Sequence, residues 1–372
     1  MAITEKYVTT AGAGAHDGTD EANAYTFTEM VTAINGGAHA GNRYNIKQDS
    51  GHAQTTTTHT FTGDGSTTSP CILRGYKTTI TDGYQGRTGS NGALVTTNFP
   101  SITFTTGRLT GNGDLFLFEC LNISGAPSAA LLTLGTSAAV RSCVVTNSST
   151  NAAAVCITGA NTAVIYDCDL TLSGASGGLA AINVAGFSTR VIANRIKGGP
   201  AAGVTIGAFG SAAVIDNVFF DSATNHVVTT NTGAGTIIYG NTFPGATGNQ
   251  IDIITGSTIL HLIINNMITD GSAFGVDLNN AAAAAFIANN RTRDNSSGAY
   301  ELGTDWVAAT SYNNVTTDTG GAETDYTDAG SDDYTLVSSS PAKGVGQFNY
   351  RDIGALQRQE SASSSGGVVI GS

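Results

Sequence analysis

The stretch AVIDNVFFD, residues 213–221, sets Asn217 among Val214, Ile215, Val218, Phe219 and Phe220. A buried amide without partners costs a few kcal/mol, so Asn217 lies on the surface or is satisfied by something systematic. The pattern recurs. VIANRI (191–196), TIIYGNTF (236–243), LIINNMI (262–268) and FIANNRT (286–292) put Asn194, Asn217, Asn241, Asn266 and Asn290 in one column, at intervals of 23, 24, 25 and 24 residues. Upstream, LFECLNI, VRSCVVT and IYDCDLT continue the column with Cys120, Cys143 and Cys168.

A second column, three residues earlier, reads Leu117, Val140, Ile165, Val191, Val214, Ile238, Ile263 and Ile287, all aliphatic. The column two residues after the Asn or Cys is mostly apolar, with Asn122 and Thr292 as exceptions. A period near 24 residues, built of short β-type runs broken by Gly, Asn, Ser and Thr, describes one coil of a β-solenoid whose coils stack about 4.8 Å apart. In such a stack an inward Asn at the same bend of every coil bonds to backbone and to the Asn above and below. Cysteine continues the column as a small side chain of high burial preference. The eight residues are expected to be a structural ladder.

Composition agrees. Charged residues make up 12%, about half the usual fraction, and 48 glycines against 6 prolines suit turns joining short strands. A net charge of −12 with 16 Lys plus Arg supplies no basic patch and argues against nucleic acid as a partner. No apolar run approaches the ~18 residues of a membrane span, and MAITEKYVTT lacks the basic-then-apolar pattern of a secretory signal. Five cysteines, three of them in a packed column, predict reduced thiols and folding in a cytoplasm.

Along the chain, Phe27, Met30, Val31 and Ile34 share one helical face, with Asp20 as the expected N-cap and Gly36-Gly37 as the stop. Residues 1–43 are therefore expected to be a cap over the open end of the solenoid, and residues 44–316 the solenoid itself, regular from about 115. Residues 317–357 read as a closing cap, and 358–372 as a Ser/Gly-linked anchoring tail tipped by Val368, Val369 and Ile370. The acidic segment 318–333 is a candidate Ca²⁺ loop or a solvated one. The six histidines show no metal-ligand spacing, so no metal site and no cofactor are expected.

Three segments carry a family resemblance: the opening YVTTAGAGAHDGTDEANAYTFTEMVTAI followed by CILRGY, the ladder segments, and the ending YTLVSSSPAKGVGQFNYRDIGALQ. Over nearly its whole length the chain resembles the pectate-lyase-like right-handed parallel β-helix proteins. The ending is similar to their terminal motif, in which Ser-Pro-Ala is followed by Ile-Asp-Ala-Gly and then Asp-Ile-Gly-Ala. Here Lys343-Gly344-Val345-Gly346 departs from it and Asp352-Ile353-Gly354-Ala355 keeps it. The fold implied is all-β, a right-handed parallel β-helix with an N-terminal capping helix and a C-terminal cap and tail. That fold hosts lyases, hydrolases, adhesins and phage spikes, so function has to come from residues.

One residue before the ladder, Glu119, Asp167 and Asp216 recur every second coil, about 9.6 Å apart. This borders on the separation used by inverting glycosidases and makes Asp167 and Asp216 the catalytic candidates; alternation that avoids like-charge repulsion is the bland alternative. Asp169, one coil below Arg195, predicts a surface ion pair. Two residues before the ladder stand Phe118, Arg141, Tyr166, Ile192, Ile215, Tyr239, Ile264 and Ala288, mostly apolar and beside an inward column, with Phe118, Tyr166, Ile192, Ile215, Tyr239 and Ile264 as the interface candidates. Because strand side chains alternate, this stripe faces outward unless a bulge turns it in, and an outward apolar stripe marks an oligomer interface, of the kind solenoids form around a threefold axis.

With one Trp, Trp306, and scattered acids, the chain offers no convincing catalytic constellation, and it is not expected to be an enzyme. The expected function is that of a bacteriophage virion structural protein: a homotrimer on the particle surface, assembled in the host cytoplasm, decorating the capsid or forming a tail-spike-like fibre. Its partners would be capsid or tail proteins, held through the tail, and a host surface glycan. The alternatives are a polysaccharide lyase or glycoside hydrolase of this fold, and a bacterial surface adhesin.

Overall fold

The computed structural model describes residues 3–54, 56–62, 69–88, 92–111, 114–174, 180–199, 202–207, 210–222, 224–230, 234–254, 260–278 and 284–302, and beyond these 310–312, 315–317, 326–328, 333–337 and 340. The chain winds as a right-handed parallel β-helix with sheets of 12, 11 and 10 strands. The first sheet runs from Thr4–Val8 to Thr310–Tyr312, the second from His52–Ala53 to Val315–Thr317, and the third from His59–Phe61 to Gly298–Leu302. Every pairing within the three is parallel and joins one coil to the next, as in Val191 with Val214, Val214 with Ile238 and Ile238 with Ile263.

Short β-branched runs form these strands because each buries one side of the pleat. Val140, Ile165, Val191, Val214, Ile238 and Ile263 point into a continuous core with Leu132, Ile157, Ile182 and Val204 of the third sheet. Between the first and second sheets the chain turns on a single left-handed residue: Cys120, Ser142, Asp167, Ala193, Asp216, Gly240, Asn265 and Asn289 all have φ between 50° and 67°. Asn, Asp and Gly tolerate that conformation best, and five of the eight are of those types. The residue after the bend enters the core, where the ladder column sits.

The capping helix α1 spans Phe27–Asn35 and buries Phe27, Met30, Val31 and Ile34. Its N-cap is Thr26, not Asp20: Thr26 and Glu29 form a capping box, whereas Asp20 precedes a separate 3₁₀ turn, Glu21–Asn23. Nor does the solenoid begin at 44. Thr4–Val8 already pairs with Asn42–Lys47 in the first sheet, so a division at residue 43 cuts a strand. Towards the other end, Tyr326–Asp328 pairs antiparallel with Asp333–Leu336. The rest of the 317–357 cap, most of the acidic segment 318–333 and the tail with Val368, Val369 and Ile370 lie outside the described residues. No described helix is long and apolar enough to cross a membrane.

Candidate functional site: a charged cleft on the first sheet

The ladder residues are bonded to one another and to backbone. Asn194 donates from its backbone and side-chain N–H groups to Asn217 Oδ1 at 2.9 and 3.0 Å, and the same pair of bonds joins Asn217 to Asn241, Asn241 to Asn266 and Asn266 to Asn290. Each amide also donates to a carbonyl of the preceding coil, Asn217 to Val191 at 2.8 Å. The Cys168 N–H donates to Asn194 Oδ1 at 2.8 Å, and the Leu121 N–H contacts Cys143 Sγ at 3.4 Å. These side chains are structural, and none of them lines the cleft described below.

Cys120 does not belong to the column. Phe118 pairs with Val140 and Asn122 with Val144, so Leu121 stands below Cys143. The first regular coil is a residue shorter than expected, and everything assigned in it slips by one. Cys120 occupies the left-handed bend and packs with Leu94, Phe99 and Val144 outside the main core. Phe118 faces inward, fully buried beside Phe61 and Phe116. The outward column is therefore Glu119, Arg141, Tyr166, Ile192, Ile215, Tyr239 and Ile264. Tyr166 is 40% exposed, and Ile192, Ile215, Tyr239 and Ile264 are half-buried.

Within 77–100, the described residues 77–88 and 92–100 leave the first sheet after Cys71–Tyr76 and fold back over this column, and the close approach depends on glycine. A Cβ on Gly83 would lie 2.2 Å from the Gly75 carbonyl oxygen. The segment is pinned by Arg87, which donates to Asp167 Oδ1 at 2.7 Å, to Asp169 Oδ1 at 2.6 Å and to the Gly92 carbonyl at 2.7 Å. The Leu94 N–H adds a bond to Asp169 Oδ2 at 2.8 Å. Arg195, the expected partner of Asp169, lies at 3.9 Å from it, and its guanidinium stacks on Phe220.

Between the segment and the sheet opens a cleft of about 150 Å³ lined by Arg74, Thr81, Tyr84, Glu119, Arg141 and Ser142, among others. This is below the ~300–1,000 Å³ of sites that enclose a drug-sized ligand, and it suits one ring of a longer chain lying on the surface. Arg74 holds Glu119 Oε2 through Nε and Nη2, both at 2.8 Å. Arg141 reaches Glu119 Oε1 only at 3.9 Å, keeps 54% of its side chain exposed, and sits 6.0 Å from the Tyr166 ring centroid. Tyr84 is 48% exposed; burial first and the Asp167 charge second raise its phenol above the ordinary range, so it stays protonated.

The catalytic candidates fare unequally. Asp167 lines the segment's anchor, its oxygens taken by Arg87 and by the Ser142 hydroxyl at 2.7 Å. Asp216 is half-buried two bends further on, with no residue of the cleft beside it. Both recur because the bend favours aspartate, and they do not form a working pair. A hydrolase needs one carboxyl held protonated, and the carboxylates near this cleft are instead tied to arginines. What the cleft can do is bind an anion on Arg141 and deliver a proton from Tyr84. Among the described residues no group of three metal-ligating side chains occurs.

Of the cleft residues, Glu119 and Cys120 entered the sequence reading in other roles, one as a carboxylate recurring every second coil and the other as a ladder cysteine. Arg141 interrupting an otherwise apolar column was the other usable signal. Tyr84 and Arg87 had none, since Arg87 and its carboxylate partners are 80 and 82 residues apart.

No protein-family model and no curated protein sequence matches the chain. Among solved structures it is similar to pectate lyase Pel9A, at 12% identity over 96% of this chain and 97% of that one, with a TM-score of 0.66. It is also similar to a mannuronic acid specific polysaccharide family 6 lyase from human gut microbiota (13%; 83% and 78%; TM-score 0.42) and to the Dettilon tailspike protein (12%; 82% and 68%; TM-score 0.47). The expectation that the chain is not an enzyme is corrected here, because the end-to-end likeness is to a polysaccharide lyase. It rested on finding in the sequence neither paired carboxylates, nor a carboxylate cluster beside an arginine or lysine, nor aromatics gathered on one face. In fold, the chain is a pectate-lyase-like right-handed parallel β-helix.

Proposed function

We propose that the protein binds an acidic polysaccharide in the cleft between residues 77–100 and the first sheet and cleaves it by β-elimination. The observation that carries this reading is Arg141: its neighbour Glu119 is already held by Arg74, so its exposed guanidinium is available to a carboxylate between two exposed tyrosines. An arginine on a sugar carboxylate acidifies the adjacent C–H. Glu119 Oε1, the oxygen not held by Arg74, takes that proton; the double bond forms as the C–O bond to the leaving sugar breaks, and the Tyr84 hydroxyl protonates the leaving oxygen. Incubating the protein with uronate polysaccharides should give an ultraviolet-absorbing unsaturated product, lost in Tyr84→Phe and Glu119→Gln. Binding abolished by Arg141→Gln without any cleavage by the wild type would keep the site and remove the chemistry. No binding to any acidic polysaccharide overturns the reading.

A second reading is supported by the apolar continuation of the same face. Beyond the cleft stand Ile192, Ile215, Tyr239 and Ile264, with Ile237 and Leu260 exposed beside them. We propose that this strip joins copies of the chain in a homotrimer, as suits a glycan-engaging spike on a bacteriophage particle. Sedimentation should show a trimer, and lysine at Ile215 and Tyr239 should give folded monomers. A wild-type monomer at high micromolar concentration removes the proposal.

A further inference from the structure

The outward side chains of three successive coils read cation, ring, cation. Arg141 stands on the strand Ala139–Arg141, Tyr166 on Val164–Tyr166 and Arg190 on Thr189–Ile192. Arg141 and Tyr166 share one outward column, and Arg190 belongs to the column beside it, in register with Val164 and Ala213. Arg190 is exposed, and no ion pair to it is present among the described residues. Two coils separate the arginines, about 9.6 Å along the axis.

A glycan stretched along the axis advances about one sugar per coil. Resting on the proposed binding of an acidic polysaccharide in this cleft, we infer that the glycan presents an acidic group to the protein on every second sugar, at Arg141 and Arg190, with a neutral sugar stacked on Tyr166 between them. The ring excludes a third acid: an aromatic face is the negative pole of its quadrupole, so a carboxylate laid on Tyr166 is repelled where an uncharged sugar face is not. Arg74, two coils on the other side of Arg141, does not extend the series, because Glu119 already holds it.

The test compares two hexasaccharides by calorimetry on the full chain at one ionic strength: glucuronate alternating with N-acetylglucosamine, and oligogalacturonate, acidic at every sugar. The alternating chain should bind at least tenfold more tightly. Arg190→Gln should weaken it about tenfold, with thermal stability unchanged because the side chain is exposed, and should narrow its advantage over oligogalacturonate. Equal affinity for the two, or an Arg190→Gln protein that binds the alternating chain as the wild type does, overturns the spacing; if Arg141→Gln then still weakens both, the proposed site survives. If neither oligosaccharide binds, the spacing and the site fall together.

Discussion

Asn217 Oδ1 accepts two hydrogen bonds from Asn194 while the Asn217 side-chain amide donates to Asn241 Oδ1, and Asn194, Asn241 and Asn266 likewise accept from the coil before and donate to the coil after. Replacing Asn217 by leucine adds apolar surface to a core but takes the acceptor from the backbone and side-chain N–H groups of Asn194. Buried groups left without partners cost about 1–3 kcal/mol each. Asn217→Leu should therefore destabilise the protein by roughly 3 kcal/mol in denaturant unfolding, whereas Arg190→Gln, on the surface, should change it by under ~0.5 kcal/mol.

Arg87 is the only described side chain that joins residues 77–100 to both Asp167 and Asp169. Arg87→Gln leaves two half-satisfied carboxylates and should cost about 2 kcal/mol, below the 3–5 of a fully buried pair. The informative readout is local: limited proteolysis should cut within 77–100 first, and Tyr84 should lose its raised phenol pKa in a spectrophotometric titration. A variant that stays uncut and titrates as the wild type does would show that the apolar contacts of Leu94 and Phe99 suffice.

Asp252 and Asp277 stand in register on adjacent coils of the third sheet. Burial first and the Asp277 charge second push the Asp252 carboxyl up to about 6. A folded-state value above the unfolded one means that the folded state binds the extra proton, so stability falls as pH rises from about 4 to about 6 and stays lower above it. Discounted for the partial exposure of Asp252, the effect is about 1–2 kcal/mol. Asp277→Asn should flatten that slope and raise stability at pH 7 by about 0.5–1 kcal/mol; an unchanged slope would place its origin elsewhere.

All five cysteines are unpaired and buried. Burial pushes Cys71, Cys120, Cys156 and Cys168 up to about 12, and Cys143 rises well above its ordinary value for the same reason. Thiol labelling of the native protein at pH 8 should be slow, and labelling in denaturant without reductant should find five thiols. Fewer would mean a rearranged first coil.

The coil was legible because its period fixes which residues must meet: once Asn194, Asn217 and Asn241 align, the inward aliphatics follow. The slip at Cys120 came from letting a cysteine stand for a position that Leu121 fills, since both are small enough and apolar enough for the column. The bend before each Asn was readable in its Asp, Gly and Asn content, although Asp167 and Asp216 looked more like chemistry than like backbone. The cleft was not legible, because residues 77–100 reach it by folding over coils distant in sequence, a contact that no local pattern records.

The Asn-to-Asn bonds all point the same way along the axis, and from Asn217 to Asn290 each Asn offers its predecessor the same Oδ1 acceptor. The coil is thus a cassette. A duplicated stretch such as 218–241 carries its own Asn and its own bend, and would splice between existing turns without disturbing either end, lengthening the shaft by one strand spacing, about 4.8 Å. A chain built this way can change its reach by unequal recombination while the cleft near its beginning stays as it was.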